Sequence, residues 1–359
     1  MIFKRKREAT SLTASVSELE EAVATRDGDR TGRAFTAMMN AVQSASDAEQ
    51  VSAGPRLAVL IPAFPPTGPR PMLAMAAGFC VERGADPVGC AEPILGGVHQ
   101  DLLDALEFAR RWASTHSTES ELPKPDEEII DDALLARLGG DRHEATRLAL
   151  AWCSVEQWQP PALAVLCRST EVRRRYASAI LPACRELVSL ERHDLKCLAY
   201  ALAVLDDEPL VVLHRPTGTG FEVRIGGIGD NFQLHTLLAH VLVGGGHVPG
   251  TVPSTESVRL ATDLEPAQGR TQIIATGAFE LLTAEGDRIW NEGLPDDIPA
   301  VEGRRLIVLD EPTYQRSWNA DRFFPHLPGK AELSRVLTAD ETRSWFTRTS
   351  SGDGTHRVP

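Results

Sequence analysis

The hydrophobic period of this chain changes once, near residue 206, and that change divides what each half can fold into. Before it, apolar residues recur at the spacing of one helix face; after Asp206-Asp207-Glu208-Pro209 they alternate. Leu12, Val16, Leu19 and Val23 form one helical stripe, Asp27-Gly28-Asp29 supplies a turn, and Phe35, Met38, Met39 and Val42 resume the same period. An αα-hairpin is predicted there. A Pro-rich break over 62–71 is followed by predicted helices at Met72–Arg83 and Gln100–Ser114, a polar linker at 115–125, and helices at Asp126–Leu138, His143–Trp158 and Val172–Val204. The last is expected to break near Pro182 and again at Glu191–Asp194.

Beyond the change of period, Leu210–His214 is a short apolar run, and Phe221, Val223 and Ile225 alternate with Glu222 and Arg224 across a turn-rich 216–220. A β-hairpin is predicted. Gly226-Gly227-Ile228-Gly229 then leads to Asp230 as a helix N-cap, with Leu234, Leu237, Leu238, Val241 and Leu242 as the apolar stripe and Gly244–Gly246 as the stop. Further strands are expected at Thr271–Thr276, Phe279–Thr283, Arg288–Glu292 and Arg304–Asp310, the middle two joined by Ala284-Glu285-Gly286-Asp287. The fold class is therefore α+β. Residues 1–205 form an all-α domain of helical hairpins, 206–346 a smaller α+β domain, and 347–359 a disordered Ser/Thr/Gly-rich tail. No residue signature repeats at a fixed period, so a solenoid is not established.

Charge and segment lengths exclude some partners. With 37 basic and 50 acidic residues the formal net charge is -13, which opposes attraction to phosphate backbones and anionic membranes. Neither nucleic acid nor membrane is expected as a partner. The basic start Lys4-Arg5-Lys6-Arg7 runs into a polar stretch, not the apolar core of a signal peptide, and no apolar run approaches the ~20 residues that span a bilayer. The six cysteines lie in apolar surroundings without a C-x-x-C pair, as reduced thiols of a cytoplasmic protein would.

Chemical motifs are sparse. The strand, glycine turn and helix at 221–243 have the topology of a phosphate cradle, but Phe232 stands where a dinucleotide fingerprint needs a third small residue, and no P-loop lysine follows. Asp230 would also put a carboxylate where the phosphate belongs. The glycines instead suit a tight turn. His214, His235, His240 and His247 fall close together, yet His235 and His240 are five apart, about 140° around a helix, and His143-Glu144 has Arg147 where a zincin needs its second histidine. No metal and no cofactor are expected. No G-x-S-x-G elbow or recognisable cysteine nucleophile is present. The acid pairs Asp131-Asp132, Asp206-Asp207 and Asp296-Asp297 sit where carboxylates cap helices or meet solvent.

The C-terminal part interleaves rings with amides and charges in Trp290-Asn291-Glu292 and in Tyr314-Gln315-Arg316-Ser317-Trp318-Asn319. Such groups suit a binding surface, and Trp290, Asn291, Arg316, Trp318 and Asn319 are the candidate ligand-binding residues. The competing reading makes Trp290 and Trp318 core residues. Three strings, Arg224-Ile-Gly-Gly-Ile-Gly-Asp-Asn-Phe-Gln-Leu-His-Thr-Leu-Leu238, Ile289-Trp-Asn-Glu-Gly293 and Ser317-Trp-Asn319, resemble those of a family of uncharacterised actinobacterial proteins over residues 205–345. The resemblance implies a bacterial, cytoplasmic setting and brings no activity with it.

Two functions remain open. One is a binding or scaffold protein that recognises a peptide, a protein partner or a small ligand through its C-terminal domain. The other is an enzyme tailoring a peptide or small metabolite, with Asp230, His235, Asn291 and Glu292 converging on one pocket and His235, at an ordinary pKa near 6.5, as acid and base. Side-chain direction separates them. Four groups facing one concave pocket favour the enzyme; outward or core-buried directions favour the binding protein.

Overall fold

The computed structural model describes residues 11–66, 68–114, 121–126, 130–264 and 272–350. The chain divides into two compact units whose boundary falls between Leu202 and Ala203. The first is helical; the second combines helices with sheets, and 56% of the described residues are helix against 13% strand, an α+β protein.

The helical unit is built from α1 (Leu12–Ala24), α2 (Gly28–Val42), α3 (Asp47–Leu60), α4 (Pro69–Glu82), α5 (Pro87–Ser114), α6 (Asp132–Leu138), α7 (Arg142–Ser154), α8 (Gln159–Arg168), α9 (Thr170–Ser189) and α10 (Lys196–Leu202). Helix α1 packs on α2 and α3 on α4, while α5 touches α3, α4, α7, α8 and α9 and so forms the spine. Ser11, Asp27 and Ser46 cap the first three helices, Ser46 in a reciprocal box with Glu49. Two expectations are corrected here. Helix α5 starts at Pro87, well before Gln100, and α9 runs unbroken through Pro182, because one lost hydrogen bond is outweighed by the packing of Ile180, Ala183, Cys184 and Leu187. At Gly97 a Cβ would lie 2.2 Å from the Trp158 ring, so only glycine admits that ring against the spine. Trp158 Nε1 donates to Asp101 Oδ2 at 2.7 Å, and burial pushes the Asp101 carboxyl up to about 6. Of the expected linker, 115–120 lies outside the described residues, and 121–126 is irregular.

The second unit holds a six-stranded sheet of β1 (Glu208–His214), β2 (Thr219–Gly226), β4 (Glu280–Leu282), β5 (Ala300–Val301), β6 (Arg304–Asp310) and β8 (Lys330–Val336), in the order β4-β6-β1-β2-β8 with β5 also on β6. A separate two-stranded sheet pairs β3 (Ile274–Thr276) with β7 (Ser317–Asn319). Strands β1 and β2 form the expected antiparallel hairpin, with Val212 opposite Phe221, whereas β1 and β6 run parallel, Val212 beside Ile307. Both central strands are buried on two faces, which is why they read as continuous apolar runs. Leu210, Val212, Ile307 and Leu309 pack under α11 (Asn231–Ala239). Val211, Leu213, Leu306 and Val308 pack on the opposite face, where Trp345 and Phe346 of α13 (Ala339–Phe346) close the core.

Helix α11 runs on into a π-helical turn at His240–Gly244, and α12 (Thr255–Thr262) follows. Arg288–Glu292 is not a strand; only Arg288 bridges to Leu282, with Ile289 N–H bonded to Leu281 O. Thr271 lies outside the described residues. The disordered tail is corrected at its start, since Arg348 N–H bonds Trp345 O and Ser350 N–H bonds Ala284 O; residues 351–359 lie outside the described residues.

Candidate functional site

The glycine turn before α11 is shaped by its neighbours. Gly227 holds φ of 66°, and a Cβ there would lie 2.0 Å from Pro328 O, so left-handed backbone and close approach both demand glycine. The helix it launches has its first amides already occupied. Asn231 N–H donates to Gly293 O at 3.0 Å, Phe232 N–H to Asn291 O at 3.1 Å, and Gln233 N–H to Asp230 Oδ1 at 2.8 Å. Asn231 Nδ2 adds a bond to Trp290 O at 2.9 Å. The loop 290–293 therefore sits where an anion would have to enter, and the helix end has no donor left for a phosphate. Asp230 is the N-cap. Burial, with the nearby Asp321 and Glu292 carboxylates, pushes it up to about 6 against the two amides that favour its charge.

His235 lies further along α11, 4% exposed. Its Nε2 accepts from the backbone N–H of Ala278 at 3.0 Å, which leaves the ring proton on Nδ1. The ring stacks on Phe279 at 4.8 Å and tilts against Trp318 at 5.0 Å. Burial, then the Arg316 guanidinium, lower its pKa to about 3. At neutral pH it is an uncharged acceptor for a half-buried amide, far from the pKa near 6.5 that acid-base work requires.

Beside it opens a cleft of about 310 Å³, mouth included, lined by His235, Gly277, Phe279, Glu280, Leu281, Asn291, Pro312, Tyr314 and Arg316; its closed part has room for about one water. Glu280 is the buried charge of this region, at 7% exposure on the edge strand β4. Arg288 Nε lies 2.5 Å from its Oε1, Arg316 Nη2 donates to the same oxygen at 3.3 Å, and Thr313 Oγ1 donates to Oε2 at 3.4 Å. Tyr314, 56% exposed, has the Arg316 guanidinium 4.8 Å and the Arg288 guanidinium 5.6 Å from its ring centre.

The eight residues named from sequence are thus divided. His235, Asn291 and Arg316 share the cleft. Asp230 and Glu292 belong to the start of α11. Trp290 is 70% exposed and holds Asn231 through its carbonyl. Trp318 is half-buried between Phe232 and His235, a packing residue, and Asn319 is exposed at the end of β7, paired with Ile274. The convergence of Asp230, His235, Asn291 and Glu292 on one pocket does not occur. Missing from that set were Glu280, Arg288 and Tyr314. A lone acid inside the apolar string Phe279-Glu280-Leu281-Leu282 was the available signal, because a buried carboxylate requires a cation.

The chain matches no protein-family model, no curated protein and no solved structure. A functional reading rests on the cleft alone. Among the described residues no group of three or more His, Cys, Asp or Glu is placed to hold a metal ion, and no helix is long and apolar enough to cross a membrane. The six cysteines are free, and burial pushes the thiols of Cys80, Cys90, Cys167 and Cys184 up to about 12.

Proposed function

We propose that this is a binding or scaffold protein of the bacterial cytoplasm whose C-terminal unit recognises a peptide or small ligand at the cleft beside α11, with no chemistry done on it. One observation carries the reading: the histidine lining the cleft is neutral and committed to the Ala278 amide, so the site's polar side chains are those of recognition. The exposed rings of Trp290 and Tyr314 and the guanidinium groups of Arg288 and Arg316 offer contact area and directional bonds beside it. The six free cysteines agree with a reducing compartment.

The test is to equilibrate the full chain with a mixture of bacterial metabolites and tryptic peptides, isolate the protein, and weigh what it releases. Binding without chemistry requires a retained species of unchanged mass that Tyr314→Ala and Arg316→Ala release. A species consumed over time, with a new mass appearing, overturns this in favour of the enzyme.

A further inference from the structure

Two guanidinium groups share one carboxylate beside the cleft, and the more loosely held of them points to a ligand class. Glu280 carries one negative charge, and Arg288 at 2.5 Å is its close partner. Arg316 is a second cation on the same carboxylate oxygen, held by one bond of 3.3 Å. Among the described residues that is the only side-chain hydrogen bond Arg316 makes, so most of its fork of donors remains unspent at the cleft wall. Asn291 and Tyr314 line the same cleft, and among the described residues neither the Asn291 side-chain amide nor the Tyr314 hydroxyl has a hydrogen-bond partner. His235 faces them as a neutral ring and adds no charge.

We propose that the cleft binds a carboxylate, with Arg316 as the anchoring cation and Asn291 and Tyr314 as the neutral donors around it. The proposal rests on the reading of this cleft as a binding site and adds what it binds. Arg316 is the second cation on a carboxylate that Arg288 already pairs, and a planar two-oxygen group meets a guanidinium fork with two parallel bonds. A group of this kind ends every peptide and many small metabolites, and the exposed Tyr314 ring lies where the body of such a ligand can rest.

The probes are phenylacetate, phenylacetamide and phenethylammonium, titrated separately into the 15N-labelled full chain. They share a ring and differ in the polar head. Phenylacetate is expected to shift the Gly277 amide, the Asn291 side-chain amide and the Arg316 Nε–H at millimolar concentration, with phenylacetamide about tenfold weaker or worse. Arg316→Gln is expected to abolish the response and Arg316→Lys to weaken it, since lysine keeps the charge and loses the fork. Asn291→Asp, which leaves Arg316 in place, is expected to abolish it by repulsion. Equal binding of acid and amide at these three groups, or preference for the amine, overturns the carboxylate while the cleft remains a binding site. Silence of all three probes at these groups overturns the carboxylate and counts against the cleft as a binding site too.

Discussion

Asp230→Asn should stabilise the protein at pH 8 and leave it nearly unchanged at pH 4. The cap itself survives, because an amide oxygen can take the Gln233 N–H that Asp230 Oδ1 takes at 2.8 Å. What changes is charge. Asp230 has its folded pKa raised from 3.8 to about 6 by burial and by Asp321 and Glu292, so between those values the native state binds more protons than the unfolded chain. Native stability therefore falls as pH rises from about 4 to about 6 and stays lower above it. A shift of about 2 units corresponds to at most about 3 kcal/mol, and solvent screening of this partly exposed group reduces the expected effect to ~1–2 kcal/mol. At ~2–4 °C per kcal/mol, the Asn variant should melt ~2–8 °C above wild type at pH 8. Asp230→Ala lacks the acceptor and should lie ~1 kcal/mol below Asp230→Asn at either pH. Thermal melts of the three full-length proteins at pH 4 and pH 8 read this directly. Comparing each variant with wild type at the same pH removes the parallel contribution of Asp101, whose pKa is raised the same way. An Asn variant that melts at or below wild type at pH 8, or whose gain is the same at both pH values, refutes the reasoning.

Gly227→Ala combines a left-handed backbone with a Cβ 2.0 Å from Pro328 O, and urea unfolding should find it ~2–5 kcal/mol less stable, with cleavage in the C-terminal unit under limited proteolysis. Glu280→Gln leaves two guanidinium groups without their anion and should cost ~1–3 kcal/mol in the same assay, whereas Glu285→Gln at an exposed turn should cost nothing measurable. With four thiols pushed up to about 12, an aromatic disulfide reagent at neutral pH should modify native chains at no more than Cys153 and Cys197, and all six only after unfolding; mass spectrometry counts them.

Residues with strong local signals were legible in the sequence, and residues defined by distant partners were not. The αα-hairpin of α1 and α2, the β1–β2 hairpin and the cap at Asp230 each follow from spacing plus a turn or cap residue. Helix α3 was hidden by Gly54 and Pro55 in its middle, although Ser46 and Glu49 spell a capping box at its start. Helix α8 is apolar almost all round, so it has no stripe to detect. Strand β8 carries its weak apolar residues, Ala331 and Leu333, between charges at the sheet edge, and reads as a polar loop until β2 pairs with it. The site behaved the same way. Asn291 and Arg316 stood out as amide and cation near rings, whereas Glu280 and Arg288 acquire their meaning only when β4, the 288–291 segment and the 312–316 segment come together. His235 looked like an acid-base group because a sequence cannot display its burial under Phe279 and Trp318.

The protonation state of His235 tests the central claim most directly. In a 15N-ring-labelled full chain, long-range 1H–15N correlation across pH 4.5–8 should find one unchanging neutral tautomer, protonated on Nδ1 with Nε2 as acceptor, because a pKa of about 3 puts titration below that range. A depressed histidine pKa costs stability only as pH falls below the unfolded value near 6.5, so the same signal should persist until the unit itself unfolds. A His235 ring that titrates between pH 6 and 8, or that carries its proton on Nε2, contradicts the account and restores an acid-base group to the cleft.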